Sequence, residues 1–420
     1  MQIFKYEKDK TKTMNEKGLS SFFEEYLKRK PLFKNKQILQ LNYTPKQILH
    51  RDHQIKQIAN ILAPALREEK PSNVFVYGKT GTGKTLTTKK VTKELQQTAQ
   101  SRKIPLKIIY VNCKLKKLAD TEYRLIAQLL REYGKEIPIT GLPTDEVYNL
   151  FFQTIDKEKH ILILILDEID QLVGKAGDEL LYNLTRINSE LKNTQITLIG
   201  ISNDLVFTDV LDPRVKSSLS EEEIIFPPYN AIQIQSILKQ RAKKAFNEGT
   251  VEEGLIEKCA AYAAREHGDA RRAIELLRVA AEIAEREQKE KITIKDLDKA
   301  EEKIEKDRII DIVTTQPKQY QLTLFSVLKS CMEKRTVFTG EIYTLYEKLC
   351  KETKLRPLTQ RRISDIITEL DMLGIITAKI KSKGRYGRTR EIEINTNTTI
   401  TQKMITILTN ELGLEWNTNY

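Results

Sequence analysis

Residues 74–85 read VFVYGKTGTGKT, in which Gly78, Gly83, Lys84 and Thr85 complete the pattern GxxxxGK[ST] around Lys79, Thr80, Gly81 and Thr82. Glycines in such a turn let successive backbone N–H groups face one anion, and a helix starting at its end adds partial positive charge. The chemistry is phosphate binding, with Lys84 reaching the β and γ phosphates of a nucleotide and the Thr85 hydroxyl placed on Mg2+. Gripping a phosphate does not cleave it; cleavage needs a carboxylate at the end of a neighbouring buried strand. Asp167 and Glu168 stand there, after the six apolar residues of ILILILDEID. Asp167 would hold the metal, directly or through water, and Glu168 would polarise the attacking water; an acidic helix N-cap is the plainer alternative. Asn203, which closes QITLIGISN, can sense the γ-phosphate or orient the water, and equally suits an ordinary turn after a strand. Arg214 and Lys216, in DPRVKSS, fall on an exposed edge, where an arginine either reaches a nucleotide held by a neighbouring subunit or is a solvated charge. Arg271, in GDARRAIELL, opens a helix from which it could fold over the γ-phosphate, with Arg272 pointing elsewhere. Nucleotide state would then set an inter-domain angle.

A second constellation lies near the C-terminus. In TQRRISDIITELDMLGII, Ile363, Ile366, Ile367 and Leu370 form an apolar stripe, leaving Thr359, Gln360, Arg361, Arg362 and Ser364 on the outer face near the helix start. A major-groove helix presents its readers there, although a solvated face has the same pattern. KIKSKGRYGRTR follows, carrying Lys379, Lys381, Lys383, Arg385, Arg388 and Arg390 in twelve residues with no acid, and Tyr386 between two glycines. This reads as a flexible basic wing suited to phosphates and a minor groove. Six phosphate contacts would give a log–log salt slope near ~−5.

The elements that must position these groups are legible in outline. HRDHQIKQIANILAPALREEK spaces Ile55, Ile58, Leu62 and Leu66 as a helix, and residues 73–77 then form a buried strand entering the glycine-rich turn. A helix (85–97), an apolar strand (106–113), two helical segments within 120–155, the strand 161–167, a helix (179–191) and the strand 195–203 follow. The unbroken apolar run 161–166 predicts a strand buried on both faces, and strand–helix alternation predicts a parallel sheet covered on both sides. After Pro227 and Pro228 the periodicity is helical to about residue 308, a break falls at TTQP (314–317), and helices near 319–331, 339–351 and 359–373 precede two β-like segments, IITAKI and REIEI. Three helices and a hairpin make a winged helix-turn-helix pattern. The expected domains are a Lys-rich extension over 1–40, flexible or loosely docked; a nucleotide-binding domain over 41–228; a helical lid over 229–313; and a winged-helix domain over 314–420.

Composition narrows the class. With 420 residues, 40% hydrophobic content and a formal charge of +12 (Lys+Arg 70, Asp+Glu 58), the chain reads as multi-domain globular protein favouring a polyanionic partner. Cys113, Cys259, Cys331 and Cys350 lie far apart without a CxxC pair, and the four histidines do not cluster with them, which argues against a zinc site or a disulfide framework. No apolar run approaches the ~20 residues of a membrane span, and MQIFKYEKDK is no signal peptide, so a cytoplasmic, nucleoid-associated chain without a membrane partner is expected.

GKTGTGKT, ILILILDEID, ISN, DPRVKSSL and GDARRA, in that order and followed by a winged helix, resemble the AAA+ ATPases, specifically the archaeal replication initiators related to the origin recognition complex and its helicase-loading partner. YTPKQILHRDHQI and GDARRAIELL narrow the likeness, which covers about residues 40–415. The resemblance implies an AAA+ parallel sheet with a helical lid and a C-terminal winged helix, binding of ATP or ADP with Mg2+, and slow hydrolysis serving as a switch. Its implied partners are double-stranded origin DNA, the replicative helicase and paralogous initiator subunits. It also implies that residues 120–155 contact DNA around EIPITGLPTDEVY, and that bound ADP is enclosed by the lid arginine and the segment before the first strand. The family often has a second arginine close after Arg214, where this chain has Ser217 and Ser218. Two rivals stay open: a signalling ATPase whose winged helix is a packing module, without salt-dependent duplex affinity, and a clamp-loader-like motor, with turnover strongly accelerated by DNA. A DNA-binding protein with a vestigial ATP site is the blandest alternative.

Overall fold

The structure, a computed structural model, describes residues 30–114, 121–138, 141–207, 211–265, 268–334, 337–382, 388–396 and 398–414, together with Phe23, Glu24 and Leu27. The described residues fall into two compact units, 1–297 and 298–420.

The first unit is built on a parallel sheet of β1 (Val74–Tyr77), β2 (Leu106–Asn112), β3 (His160–Asp167), β4 (Thr194–Ser202) and β5 (Glu222–Ile225), in the order β2-β3-β4-β1-β5. β3 lies between β2 and β4, so its alternating side chains face two cores. Leu162, Leu164 and Leu166 enter one cluster with Phe75, Ile109 and Leu198. Ile161, Ile163 and Ile165 enter the other with Val74, Val76 and Ile199. That double burial explains the unbroken apolar run. Helices α1 (Asp52–Leu62) and α2 (Lys84–Ser101) cover the isoleucine face through Ile58, Leu62, Val91 and Leu95. The leucine face is covered by α3 (Glu122–Glu132), α4 (Thr144–Ile155), α5 (Ile169–Ala176) and α6 (Glu179–Arg186). The pair expected to contact DNA is thereby built into the main core through Leu125, Leu129, Val147 and Phe151, while two residues of its turn, 139 and 140, lie outside the described residues. The short helix α7 (Pro213–Leu219) leads into β5. In register, Asn112 pairs with Asp167 and Asp167 with Ile201, which aligns the carboxyl ends of three strands; ligands of open α/β sheets bind at that edge.

Helices α8 (Ala231–Ala245), α9 (Leu255–Arg265) and α10 (Ala270–Arg286) complete the first unit, α8 opening on a capping box between Asn230 and Gln233. The chain before α1 differs from the flexible or loose extension expected. Leu32, Phe33, Ile38 and Leu39 are buried, the Phe33 and Phe246 rings lie 5.2 Å apart, and Lys36 pairs with Glu282 at 3.0 Å. Arg241 donates to the Ile38 carbonyl at 2.7 Å. Lysine-rich flanks mask four apolar residues that together pin residues 31–40 onto the lid helices; most of 1–29 lies outside the described residues.

The long helix α11 (Ile294–Thr315) spans the division of the chain between residues 297 and 298. In the second, α12 (Lys318–Glu333), α13 (Thr339–Glu352) and α14 (Gln360–Met372) pack with a sheet ordered β6-β8-β7, made of β6 (Val337–Phe338), β7 (Ile376–Ser382) and β8 (Arg388–Ile394). A final helix, α15 (Thr398–Leu412), buries Ile400, Met404, Ile405 and Leu408 in the same core. The expected three helices and hairpin are present, and β6 and α15 add to them.

Candidate nucleotide site and winged-helix surface

Gly81 and Gly83 turn the loop between β1 and α2 with φ of 73° and 91°. A Cβ on Gly81 would fall 1.7 Å from the Asp269 Oδ1, so only glycine lets α10 begin against the loop. Asp269 caps α10, accepting from the N–H groups of Arg271 and Arg272 at 2.7 and 3.3 Å. Thr82 is buried and its hydroxyl donates to the Lys79 carbonyl at 2.8 Å, while Lys79 and Thr80 are exposed on the loop.

Lys84 is buried at the start of α2, and its Nζ donates to the Gly78 and Lys79 carbonyls at 2.6 and 2.8 Å and to Asn203 Oδ1 at 2.9 Å. Burial lowers its pKa to about 8; Asp167 pulls the other way, and Arg271 lowers it further. The Thr85 hydroxyl donates to Asp167 Oδ2 at 2.9 Å. The Tyr110 hydroxyl donates to the same oxygen at 2.6 Å, and the Glu168 N–H to Asp167 Oδ1 at 3.1 Å. Glu168 adopts left-handed φ and ψ of 56° and 47°, a costly conformation for a residue with a Cβ, and its carboxylate lies 3.5 Å from Lys114 Nζ.

These groups converge. Lys84, Thr85, Asp167, Glu168, Asn203 and the lid residue Arg271 all line one cavity of about 200 Å3, which Arg272 does not line. A second space of about 370 Å3 shares Gly81, Gly83, Thr85 and Arg271 with the first and extends between residues 40–49, Tyr229 and Ile274. Arg214 is elsewhere: it is exposed on α7, paired with Asp212 at 3.1 Å and placed over the Tyr182 ring.

Sequence reasoning singled out neither of two further residues of this region. Arg51 is 2% exposed, donates to the Thr82 and Pro227 carbonyls at 2.9 and 2.6 Å, and stacks 3.8 Å from the Tyr229 ring centroid. It ties the phosphate loop to the chain leaving the sheet, with carbonyls and rings as its partners. Tyr110 is the other; its place two residues before the end of β2 is the sole hint that it faces the carboxylate edge.

In the second unit the apolar stripe of α14 is buried as expected, and Thr359 caps the helix by accepting from the Arg362 N–H at 3.4 Å. Gln360, Arg361 and Arg362 are exposed, Arg362 lying 3.6 Å from Glu369. The wing departs from the uniformly free basic strip read from its sequence. Strand pairing sets Lys379 opposite Glu391, and Lys381 forms an ion pair with Glu391 at 2.7 Å. Arg390 turns onto α14, donating to the Ser364 carbonyl at 3.0 Å and to the Thr368 hydroxyl. Lys383, Arg385 and Tyr386 lie outside the described residues, as does the side chain of Arg388.

Three family models match the chain: an AAA domain over residues 67–206, a Cdc6 AAA+ ATPase-type lid domain over 235–302, and the CDC6 C-terminal winged helix domain over 311–404. Fold and site therefore define an AAA+ ATPase-type domain with its lid and a C-terminal winged helix. The chain is 53% identical over 387 residues to the ORC1-type DNA replication protein of Thermococcus onnurineus, covering 91% of this chain and 92% of that protein. Its counterpart in Pyrococcus abyssi is 54% identical over 382 residues, covering 90% of each chain. The chain belongs to the family of ORC1-type DNA replication proteins. Among solved structures it is similar to the Aeropyrum pernix ORC1 protein in complex with DNA, with a TM-score of 0.79, 42% identity, and coverage of 90% of this chain and 98% of that one. Cdc6p of Pyrobaculum aerophilum, at 22% identity and a TM-score of 0.58, shares the fold.

Proposed function

We propose that this chain binds duplex DNA at replication origins and recruits or loads the replicative helicase, with bound ATP acting as a slowly hydrolysed switch. The observation that carries the reading is the entry of Arg271, from the lid, into the cavity that also holds Lys84, Thr85, Asp167 and Asn203. A γ-phosphate there would touch sheet and lid together, so its loss would change their relationship. Lys84 would bind the β and γ phosphates, Thr85 and Asp167 would hold Mg2+, Glu168 would polarise the water, and Asn203 and Arg271 would sense the γ-phosphate. One hydroxyl and one carboxylate are hard oxygen donors of the kind Mg2+ takes alongside phosphate. Mg2+, when bound, supplies neutralisation of phosphate charge. The larger space beside residues 40–49 and Tyr229 suits the base and supports retention of ADP. Arg214, exposed and away from the cavity, is free in position to serve a neighbouring subunit, including a paralogue.

Duplex contact rests on α14 and the wing, with Thr359, Gln360, Arg361, Arg362, Lys381, Lys383, Arg385, Tyr386 and Arg388 as its residues, and on the DNA complex of the Aeropyrum relative. Such work places the chain on the nucleoid in the cytoplasm; no described helix is long and apolar enough to cross a membrane. The test is a nuclease footprint on the organism's own origin with ATP, with ADP and without nucleotide. Protection that changes with nucleotide, and a Glu168→Ala variant that binds ATP but keeps it uncleaved, are expected. Absence of origin protection would overturn the DNA reading, and unchanged turnover in Glu168→Ala would overturn the choice of base.

A further inference from the structure

We infer that Tyr110 is a positioning residue for the metal-holding carboxylate: its hydroxyl, 2.6 Å from Asp167 Oδ2, sets the plane in which Asp167 meets the divalent cation. The inference rests on the proposed metal role of Thr85 and Asp167.

A carboxylate offers about four acceptor sites. At Asp167 the Tyr110 hydroxyl takes one on Oδ2 at 2.6 Å, the Thr85 hydroxyl is shared between Oδ2 at 2.9 Å and Oδ1 at 3.2 Å, and the Glu168 N–H takes one on Oδ1 at 3.1 Å. The acceptor capacity that remains belongs to a side chain lining the cavity. Of the three donors, Thr85 must present its oxygen to the same cation, and the Glu168 N–H belongs to the adjacent peptide and turns with it. Among the described residues, Tyr110 alone reaches Asp167 by a side chain from another strand, and it is not itself a proposed ligand. Its ring is fixed in turn, half-buried on β2 with Lys89 Nζ 3.6 Å from the ring centroid. Partners that orient a ligating group govern metal affinity strongly, their loss costing roughly 10–100-fold. Removing the Tyr110 hydroxyl leaves Asp167 one fewer restraint about its terminal torsion while keeping its charge and its place.

The experiment measures ADP binding by the full-length chain over a series of free Mg2+ concentrations and in EDTA, for wild type, Tyr110→Phe and Asp167→Asn. Tyr110→Phe keeps the ring and its lysine contact. It is expected to raise the Mg2+ midpoint by about tenfold while leaving metal-free ADP affinity within about twofold of wild type. Mn2+ titration followed by electron paramagnetic resonance should shift in parallel. An unchanged midpoint in Tyr110→Phe, with Mg2+ dependence abolished in Asp167→Asn, would overturn the Tyr110 inference alone. Unchanged Mg2+ dependence in both variants would sink the metal assignment and the inference with it. Equal weakening of ADP binding with and without metal would make Tyr110 a packing residue and likewise overturn the inference.

Discussion

Lys84 shows how a buried charge can be poised without an acid in contact. Carbonyls and an amide hold its ammonium, and burial brings its pKa down to about 8. In the unfolded chain the same group titrates in the ordinary lysine range, so the unfolded state binds more protons between pH 8 and that range; stability without nucleotide therefore rises with pH across this window. If Lys84 grips phosphate as proposed, binding runs the opposite way, because it needs the ammonium: affinity should be nearly flat below pH 7 and fall about tenfold between pH 7 and pH 9 as binding becomes coupled to proton uptake. Calorimetric ADP titrations at pH 7, 8 and 9 check this, with Lys84→Ala as a weak, pH-insensitive control; a flat wild-type profile would refute it. Residues of this kind were legible because the spacing GxxxxGK[ST] is itself the geometry of the cradle. Arg51 and Tyr110 were not legible, since their partners are the carbonyls of Thr82 and Pro227 in one case and a carboxylate of the neighbouring strand in the other.

Among elements, β3 was the most readable, because burial on two faces forbids alternation and leaves six apolar residues in a row. β6 was unreadable: two residues become a strand only by pairing with β8, more than fifty positions on. The wing shows a different failure. Its basic residues were counted along the chain, but a strand alternates its faces and a hairpin brings in acids from across the turn. Glu391 thus meets Lys381, and Arg390 is drawn down to Ser364 and Thr368. If the wing grips phosphates as proposed, Arg390 drops out of the count and its share of the salt slope falls from ~−5 to ~−4 or shallower. Binding to a fixed duplex measured from low to moderate salt should therefore show Arg385→Gln reducing the slope by about one and Arg390→Gln leaving the slope unaltered. A slope loss in Arg390→Gln equal to that of Arg385→Gln would contradict the register argument.

At the scale of the whole molecule, the nucleotide cavities lie wholly within residues 1–297 and the wing within 298–420, each unit having its own apolar core. ADP at about 100 times its dissociation constant should stabilise the first unit by about 2.7 kcal/mol. Scanning calorimetry should show that unit's transition moving upward with ADP in wild type and staying still in Lys84→Ala; a wild-type transition indifferent to ADP would count against the site. One small feature of the chain reaches across all of it. Glu168 sits in a backbone conformation that glycine or asparagine would adopt at less cost, on the order of 1 kcal/mol or more. If Glu168 polarises the attacking water as proposed, a lineage selected only for endurance to heat would drift toward Glu168→Gly or Glu168→Asn and end with a sturdier chain that holds its triphosphate indefinitely. On that reading the strained glutamate is a toll levied on every copy for the ability to let go.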